Sequence, residues 1–256
     1  MSRKIVFLYG ALCYAAALAT FLYLAGFLVN IGVPKAIDSP RTGPVGTALL
    51  VDVGLLALFG VQHSVMARPR FKRALTRFLP VPAERSTYVL ASCVALGLLF
   101  WRWQPLGGVV WELRGAFPRA AAHALYAAGW TVVLVTTFLI NHFDLFGLRQ
   151  VVLHVTGRPY QPVRFATPGP YQVVRHPLYV GWILTFWAAP TMTVSHLVFA
   201  LATTAYILVA IRFEERDLAD MHPEYREYRR RVPMLVPRVR AVRVADEVGL
   251  RGGEAR

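Results

Sequence analysis

LYVGWILTFWAAPTMTVSHLVFALATTAYILVAI, running from Leu178 to Ile211, contains no Asp, Glu, Lys or Arg. It is longer than the roughly 20 residues one membrane helix needs. Pro190 interrupts it, with Thr191, Thr193 and Ser195 around the break, a composition suited to a turn. The stretch therefore predicts two helices folded back on each other, and that hairpin decides the rest of the topology. Four more regions are apolar enough to cross a bilayer: Ile5–Ile31, Val45–Met66, Thr87–Trp103 and Ala120–Ile140.

The charges between the runs orient them. Arg3 and Lys4 precede the first. Arg68, Arg70, Lys72, Arg73, Arg77 and Arg85 follow the second, against Glu84 alone. Cytoplasmic loops carry the excess of Lys and Arg, so the N-terminus and the loop Arg68–Arg85 are expected in the cytoplasm. The loop Asn141–Pro177 then lies on the same side. The Arg-rich tail after Ile211 joins them only if Leu178–Ile211 enters the membrane and returns. The expected fold is all-α: a polytopic integral membrane protein with five to six membrane-embedded helices, the last two a hairpin, then a cytoplasmic helical lobe. Both termini are expected in the cytoplasm, and the bilayer is the first partner.

Composition agrees with that reading. Hydrophobic residues make up 56% of the 256 positions, charged residues 16%, and mean hydropathy is +0.45. Soluble domains carry about 25% charged residues. The net charge of +14 sits between and after the apolar runs rather than on a nucleic-acid-binding face, so no nucleic-acid partner is expected. Cys13 and Cys93 both fall inside apolar runs, which argues against a disulfide framework or a zinc site. The uncharged run from Ile5 to Val33 far exceeds the roughly 7–15 residues of a signal-peptide core, and it reads as a retained helix. Residues 1–240 are expected to form one domain, and 241–256, polar and without large hydrophobes, a disordered tail.

Ionisable groups within membrane helices usually face a cavity or a partner. Asp52 lies in the second run, Gln62-His63-Ser64 near its cytoplasmic end, and Asn141-His142-Phe143-Asp144 at the end of the fourth. The last two groups fall at one membrane boundary, level with Arg175–Tyr179, and are expected to share a pocket with it. Their spacing forms no compact ligand motif, so no metal is expected.

Gly169-Pro170-Tyr171-Gln172-Val173-Val174-Arg175-His176-Pro177-Leu178-Tyr179-Val180-Gly181-Trp182 is the most informative segment. Gly169-Pro170 makes a turn, and Pro177 suits the first position of a helix because its missing N–H would be unpaired there anyway. The free N–H groups of that helix start favour an anionic ligand group. Tyr179 falls on the face of His176, and Gly181 permits close packing. After the hairpin come Arg212-Phe213-Glu214-Glu215-Arg216-Asp217-Leu218, Tyr225-Arg226-Glu227-Tyr228 and Val232-Pro233.

In that order these segments resemble the isoprenylcysteine carboxyl methyltransferase superfamily of membrane enzymes. The resemblance implies S-adenosyl-L-methionine as cofactor, bound by the C-terminal portion, roughly residues 165–237. It implies that His176, Pro177, Leu178, Tyr179 and Glu214 contact the cofactor, that Arg175 and Gly181 shape the loop, and that Tyr228 belongs to the same site. Arg212 and Glu215 would face cofactor or substrate. Phe59–Pro69 and Asn141–Gln150 are similar to the branch that methylates a small thiol, methanethiol, to dimethyl sulfide. That branch also holds relatives of proteins of nitrite and nitric oxide metabolism.

Methyl transfer from a sulfonium to a thiol needs positioning, exclusion of water and a thiolate. A thiol has a pKa of about 8.5 or higher, so a base would help near neutrality. His142 with Asp144, or His63, are the candidates. Phe143, Phe146, Trp182 and Phe186 either line a small apolar pocket or pack as ordinary core. The competing readings are a prenylcysteine carboxyl methyltransferase, a nicotinamide-dependent membrane reductase and a non-enzymatic membrane protein.

Overall fold

The computed structural model describes residues 2–163 and 165–238. The tail expected over 241–256 lies outside them. The chain forms α1 (Arg3–Val29), α2 (Val45–Ala67), α3 (Pro69–Leu75), α4 (Glu84–Arg102), β1 (Val109–Glu112), α5 (Ala116–Ile140), α6 (His142–Leu145), α7 (Leu148–Val155), α8 (Pro177–Trp187), β2 (Thr191–Thr193), α9 (Val194–Met221) and α10 (Tyr225–Arg231). Short 3₁₀ turns occur at Val81–Ala83 and Gly169–Gln172.

Five of these helices, α1, α2, α4 with its preceding turn, α5 and α9, are long and apolar enough to cross a membrane. Their outer faces carry large apolar side chains: Leu22 and Leu50 are 75% and 77% exposed. Water would penalise such a surface and hydrocarbon does not. The protein is a polytopic integral membrane protein.

The hairpin has unequal arms. α8 has 11 residues, and at 1.5 Å each it covers roughly 16 Å, about half the hydrocarbon thickness. α9, with 28 residues, is long enough to cross alone. Between them the chain is extended, and β2 pairs antiparallel with β1, Val109 opposite Thr193 and Glu112 opposite Thr191. This ribbon corrects the all-α expectation. Two extended connections meet at the same end of the bundle, where each supplies the backbone partners the other lacks. The end is tied further by the Thr193 hydroxyl donating to Asp38 and by the Gln104 N–H donating to Asp52 at 2.8 Å.

α8 lies against α5 with almost nothing between the backbones. A Cβ added at Gly181 would meet the carbonyl oxygen of Gly129 and the nitrogen of Val133, each at 2.9 Å. One added at Gly129 would meet Oγ1 of Thr185 at 2.5 Å. Small residues let membrane helices approach this closely and pack by van der Waals contact. The main core joins α1, α2, α4, α8 and α9 around Phe27, Leu99, Trp103 and Phe199. At the β1–β2 end, away from the Arg175–Gly181 segment, a groove of about 530 Å³ opens along α1 and α4, lined by Thr20, Tyr23, Lys35 and Phe100.

Candidate active site

Arg175 and His176 immediately precede α8, which starts with Pro177 as expected. Their backbone is held by the C-terminal segment: the Arg175 N–H donates to Pro233 O at 2.8 Å and the His176 N–H to Met234 O at 3.2 Å. Their side chains converge on one buried carboxylate. Arg175 Nε donates to Glu215 Oε1 at 2.7 Å, His176 Nε2 lies 3.0 Å from the same oxygen, and Arg229 Nε lies 3.2 Å from Oε2. Arg175 also donates to the carbonyls of Arg229 and Val232. Glu215 is 5% exposed and both its oxygens are engaged, so it ties the α8 start, α9 and α10 together.

The neighbouring carboxylate differs. Glu214 Oε2 accepts from the Tyr179 hydroxyl at 2.8 Å, one turn into α8. Tyr228 donates to Tyr171 O at 2.6 Å and fixes α10 to the Gly169–Gln172 turn. Burial pushes the Tyr228 phenol up to about 12, so it stays a neutral donor. Tyr225 is buried, its hydroxyl without a hydrogen-bond partner among the described residues, packed with Phe165 and Tyr228. Burial, reinforced by the nearby Glu215 carboxylate, raises its phenol well above the usual range. A buried, unpaired hydroxyl costs free energy unless something accepts from it.

Asn141 ends α5 with φ 144°, a strained conformation for a residue with a side chain, and its side-chain oxygen caps α6 by accepting from the Asp144 N–H at 3.2 Å. The reversal brings His142 back onto α5, its ring stacked on Phe138 at 4.3 Å. Tyr14 and Thr137 bond its two ring nitrogens, each at 2.9 Å. Burial holds this imidazole below its ordinary pKa. Asp144 turns away: it pairs with Arg149 at 2.8 Å and accepts from Tyr160 at 3.3 Å. His63 is bonded by Tyr88 at 2.6 Å and by Ser92 at 3.1 Å.

The sequence-derived residues thus fall into two groups. Arg175, His176, Tyr179, Glu214, Glu215 and Tyr228 meet around the α8 start, and Pro177, Leu178 and Gly181 build the helix that carries them. His63 and His142 flank an aromatic patch. Tyr88, the partner of His63, packs in one cluster with Phe146, whose ring lies 4.8 Å from that of His142. Phe146 continues to Phe21, and Phe21 to Trp182 and Trp130. Arg212 is exposed on α9, and Phe143 is 47% exposed, whereas Phe186 packs in the main core on Phe199. Sequence reading missed Tyr14, Tyr88 and Arg229. Their signal was weak: Tyr14 and Tyr88 look like ordinary aromatic members of apolar helices, and Arg229 is one of many arginines in the tail.

Residues 119–224, from α5 to the start of α10, match the family described as phospholipid methyltransferase. With the five long apolar helices, this defines the class as a membrane methyltransferase. The methanethiol S-methyltransferase of Crocosphaera subtropica is 56% identical over 93% of this chain and 93% of its own. That of Mycobacterium tuberculosis is 49% identical over 93% of this chain and 98% of its own. The chain belongs to the methanethiol S-methyltransferase family. Nurim of Bos taurus is a more distant relative, 31% identical over 76% of this chain and 79% of its own. No solved structure matches the chain.

Proposed function

We propose that this protein methylates methanethiol with S-adenosyl-L-methionine as methyl donor. The observation that carries the reading is the pair of adjacent carboxylates. Glu215 is consumed by the frame of Arg175, His176 and Arg229, which leaves Glu214, bonded only to Tyr179 among the described residues, to meet a cation. The residues fit the donor in two further respects. The Tyr225 hydroxyl is buried without an acceptor among the described residues, and Trp182 stands one turn beyond Tyr179 among Phe21 and Trp130. Aromatic faces attract a cation most strongly when water is excluded.

The donor supplies an electrophilic methyl group on a positively charged sulfur. In this reading His176, Pro177, Leu178, Tyr179 and Glu214 contact it, while Arg175, Gly181 and Tyr228 hold the loop and α10 around it. Arg212 lies at the exposed rim. The site occupies the C-terminal lobe, roughly residues 165–237, on the cytoplasmic side, with both termini there. The apolar patch from Phe146 to Trp182 excludes water from a small thiol and orients it.

The test is calorimetric titration of detergent-purified protein with S-adenosylmethionine and separately with NADPH, followed by headspace detection of dimethyl sulfide from methanethiol. Binding of the sulfonium alone and release of the sulfide are expected. Binding of NADPH alone would end the reading. Glu214→Ala is expected to weaken S-adenosylmethionine at least tenfold, about 1.4 kcal/mol or more, because it removes a charged partner while leaving the Glu215 frame intact. Unchanged affinity with normal yield would remove Glu214 from the site.

A further inference from the structure

The hydroxyls behind the two interior histidines decide where the ring protons sit. A Ser or Thr hydroxyl has one proton to give. Ser92 Oγ donates its proton to the carbonyl oxygen of Tyr88 at 3.1 Å, so toward His63 Nδ1, 3.1 Å away, it accepts. Nδ1 of His63 therefore carries the hydrogen and Nε2 presents its lone pair. The Tyr88 hydroxyl, 2.6 Å from Nε2, donates to it. Thr137 and His142 repeat the logic: Thr137 donates to Leu134 O at 2.7 Å, accepts from His142 Nδ1, and leaves Nε2 to accept from Tyr14. Each arrangement is a phenol backed by a neutral imidazole whose orientation a hydroxyl fixes, as in other sites where the second ring nitrogen sets the tautomer.

The two differ in what lies in front. The His63 ring lies 6.5 Å from that of Tyr206, whose hydroxyl bonds Ser64 at 3.3 Å and which stands about two turns before Glu214 on α9, so the His63 pair lies toward the proposed donor site. Tyr14 is packed among Phe143, Phe146 and the His142 ring instead. The charged or titratable groups facing Tyr88 and His63 are Arg85, whose guanidinium lies 4.8 Å from the Tyr88 ring centre, then Glu84, Tyr206 and Glu214.

We propose that the Tyr88 hydroxyl takes the proton of the thiol and passes its own to Nε2 of His63. This rests on the S-methylation reading above. The thiol S–H bond breaks and its proton bonds to the Tyr88 oxygen. The former Tyr88 proton bonds to His63 Nε2, giving an imidazolium. The sulfur electron pair forms the bond to the methyl group as the methyl–sulfonium bond breaks, and that bond's electron pair stays on the departing sulfur, which leaves as a neutral thioether. His63 then loses one proton to solvent per turnover. Tyr88 is the catalytic residue, and His63 and Ser92 act through it.

Tyr88→Phe keeps the ring and its packing and removes only the hydroxyl. With methanethiol near pH 7 the rate is expected to fall about a hundredfold, with S-adenosylmethionine affinity within twofold, and to recover as pH rises and solvent forms the thiolate. In the protein alone, ¹⁵N-histidine spectra should give His63 as the Nδ1–H tautomer with Nε2 hydrogen-bonded, and the Nε2 resonance should move downfield in Tyr88→Phe. A wild-type rate for Tyr88→Phe at every pH overturns the relay, as does a loss confined to Tyr14→Phe or a His63 spectrum with Nε2 protonated. A wild-type protein that makes no sulfide, with the spectrum as described, overturns the proposed function instead.

Discussion

Glu215→Ala is expected to cost about 3–5 kcal/mol of stability, the largest effect of any single side-chain truncation in the C-terminal lobe. The carboxylate is 5% exposed and answers Arg175, His176 and Arg229 together. Removing it leaves the Arg175 guanidinium, 10% exposed, inside the protein without its counter-charge. That penalty exceeds the net worth of the pair, since the cost of desolvating the cation remains while its attraction is gone. Glu215→Gln retains the shape and one acceptor and should lose less. Thermal unfolding in detergent, with Glu214→Ala alongside, separates the two neighbours: Glu215→Ala should lower the midpoint strongly and Glu214→Ala little. If Glu215→Ala unfolds like wild type and only donor binding is lost, then Glu215 faces the ligand rather than the frame.

Gly181→Val should leave little folded protein, and Gly181→Ala should cost about 1–3 kcal/mol or more. The atoms in the way are the Gly129 carbonyl oxygen and the Val133 nitrogen, each 2.9 Å from the new Cβ. Backbone atoms inside a membrane helix have no rotamer by which to move aside, so α8 itself would have to retreat. A control makes the cause visible. Val133→Ala removes the Cγ2 contact, also at 2.9 Å, and should not rescue Gly181→Ala. Rescue would mean that the obstruction is side chain rather than backbone. Yield after detergent extraction and the unfolding midpoint report both outcomes.

Much of this arrangement is legible in the sequence because it rests on local signals. The apolar runs set the long helices within a few residues, and Pro177 marks the start of α8. The order from Arg175 to Tyr228 marks the residues that gather at one end. Pro190 signals the turn but not its shape, because β2 exists only through pairing with β1, whose residues lie far away in the chain. The same limit explains the site. Glu214 and Glu215 are adjacent and chemically alike, and only the fold assigns one to Arg175 and the other to Tyr179. Asp144 sits two positions from His142, a spacing that suggests partnership, yet the turn at Asn141 sends them to different neighbours. Tyr14 and Tyr88 gain chemical meaning only once a distant histidine is within hydrogen-bond distance.

The glycine contact between α5 and α8 has a mechanical consequence. Two helices that touch backbone to backbone cannot slide or rock without clashing, so they behave as a single stiff wall carrying His176 and Tyr179. The opposite wall, from the end of α9 through α10, is fastened to it by polar contacts, the Glu215 carboxylate and the Tyr228 hydroxyl foremost. On the proposed reading of the site, the movement that admits a bulky donor and releases its spent form comes from the α10 side. Amide hydrogen exchange should register this as slow exchange in α8 from Gly181 onward and faster exchange across Tyr225–Arg231, with the difference shrinking as donor is added.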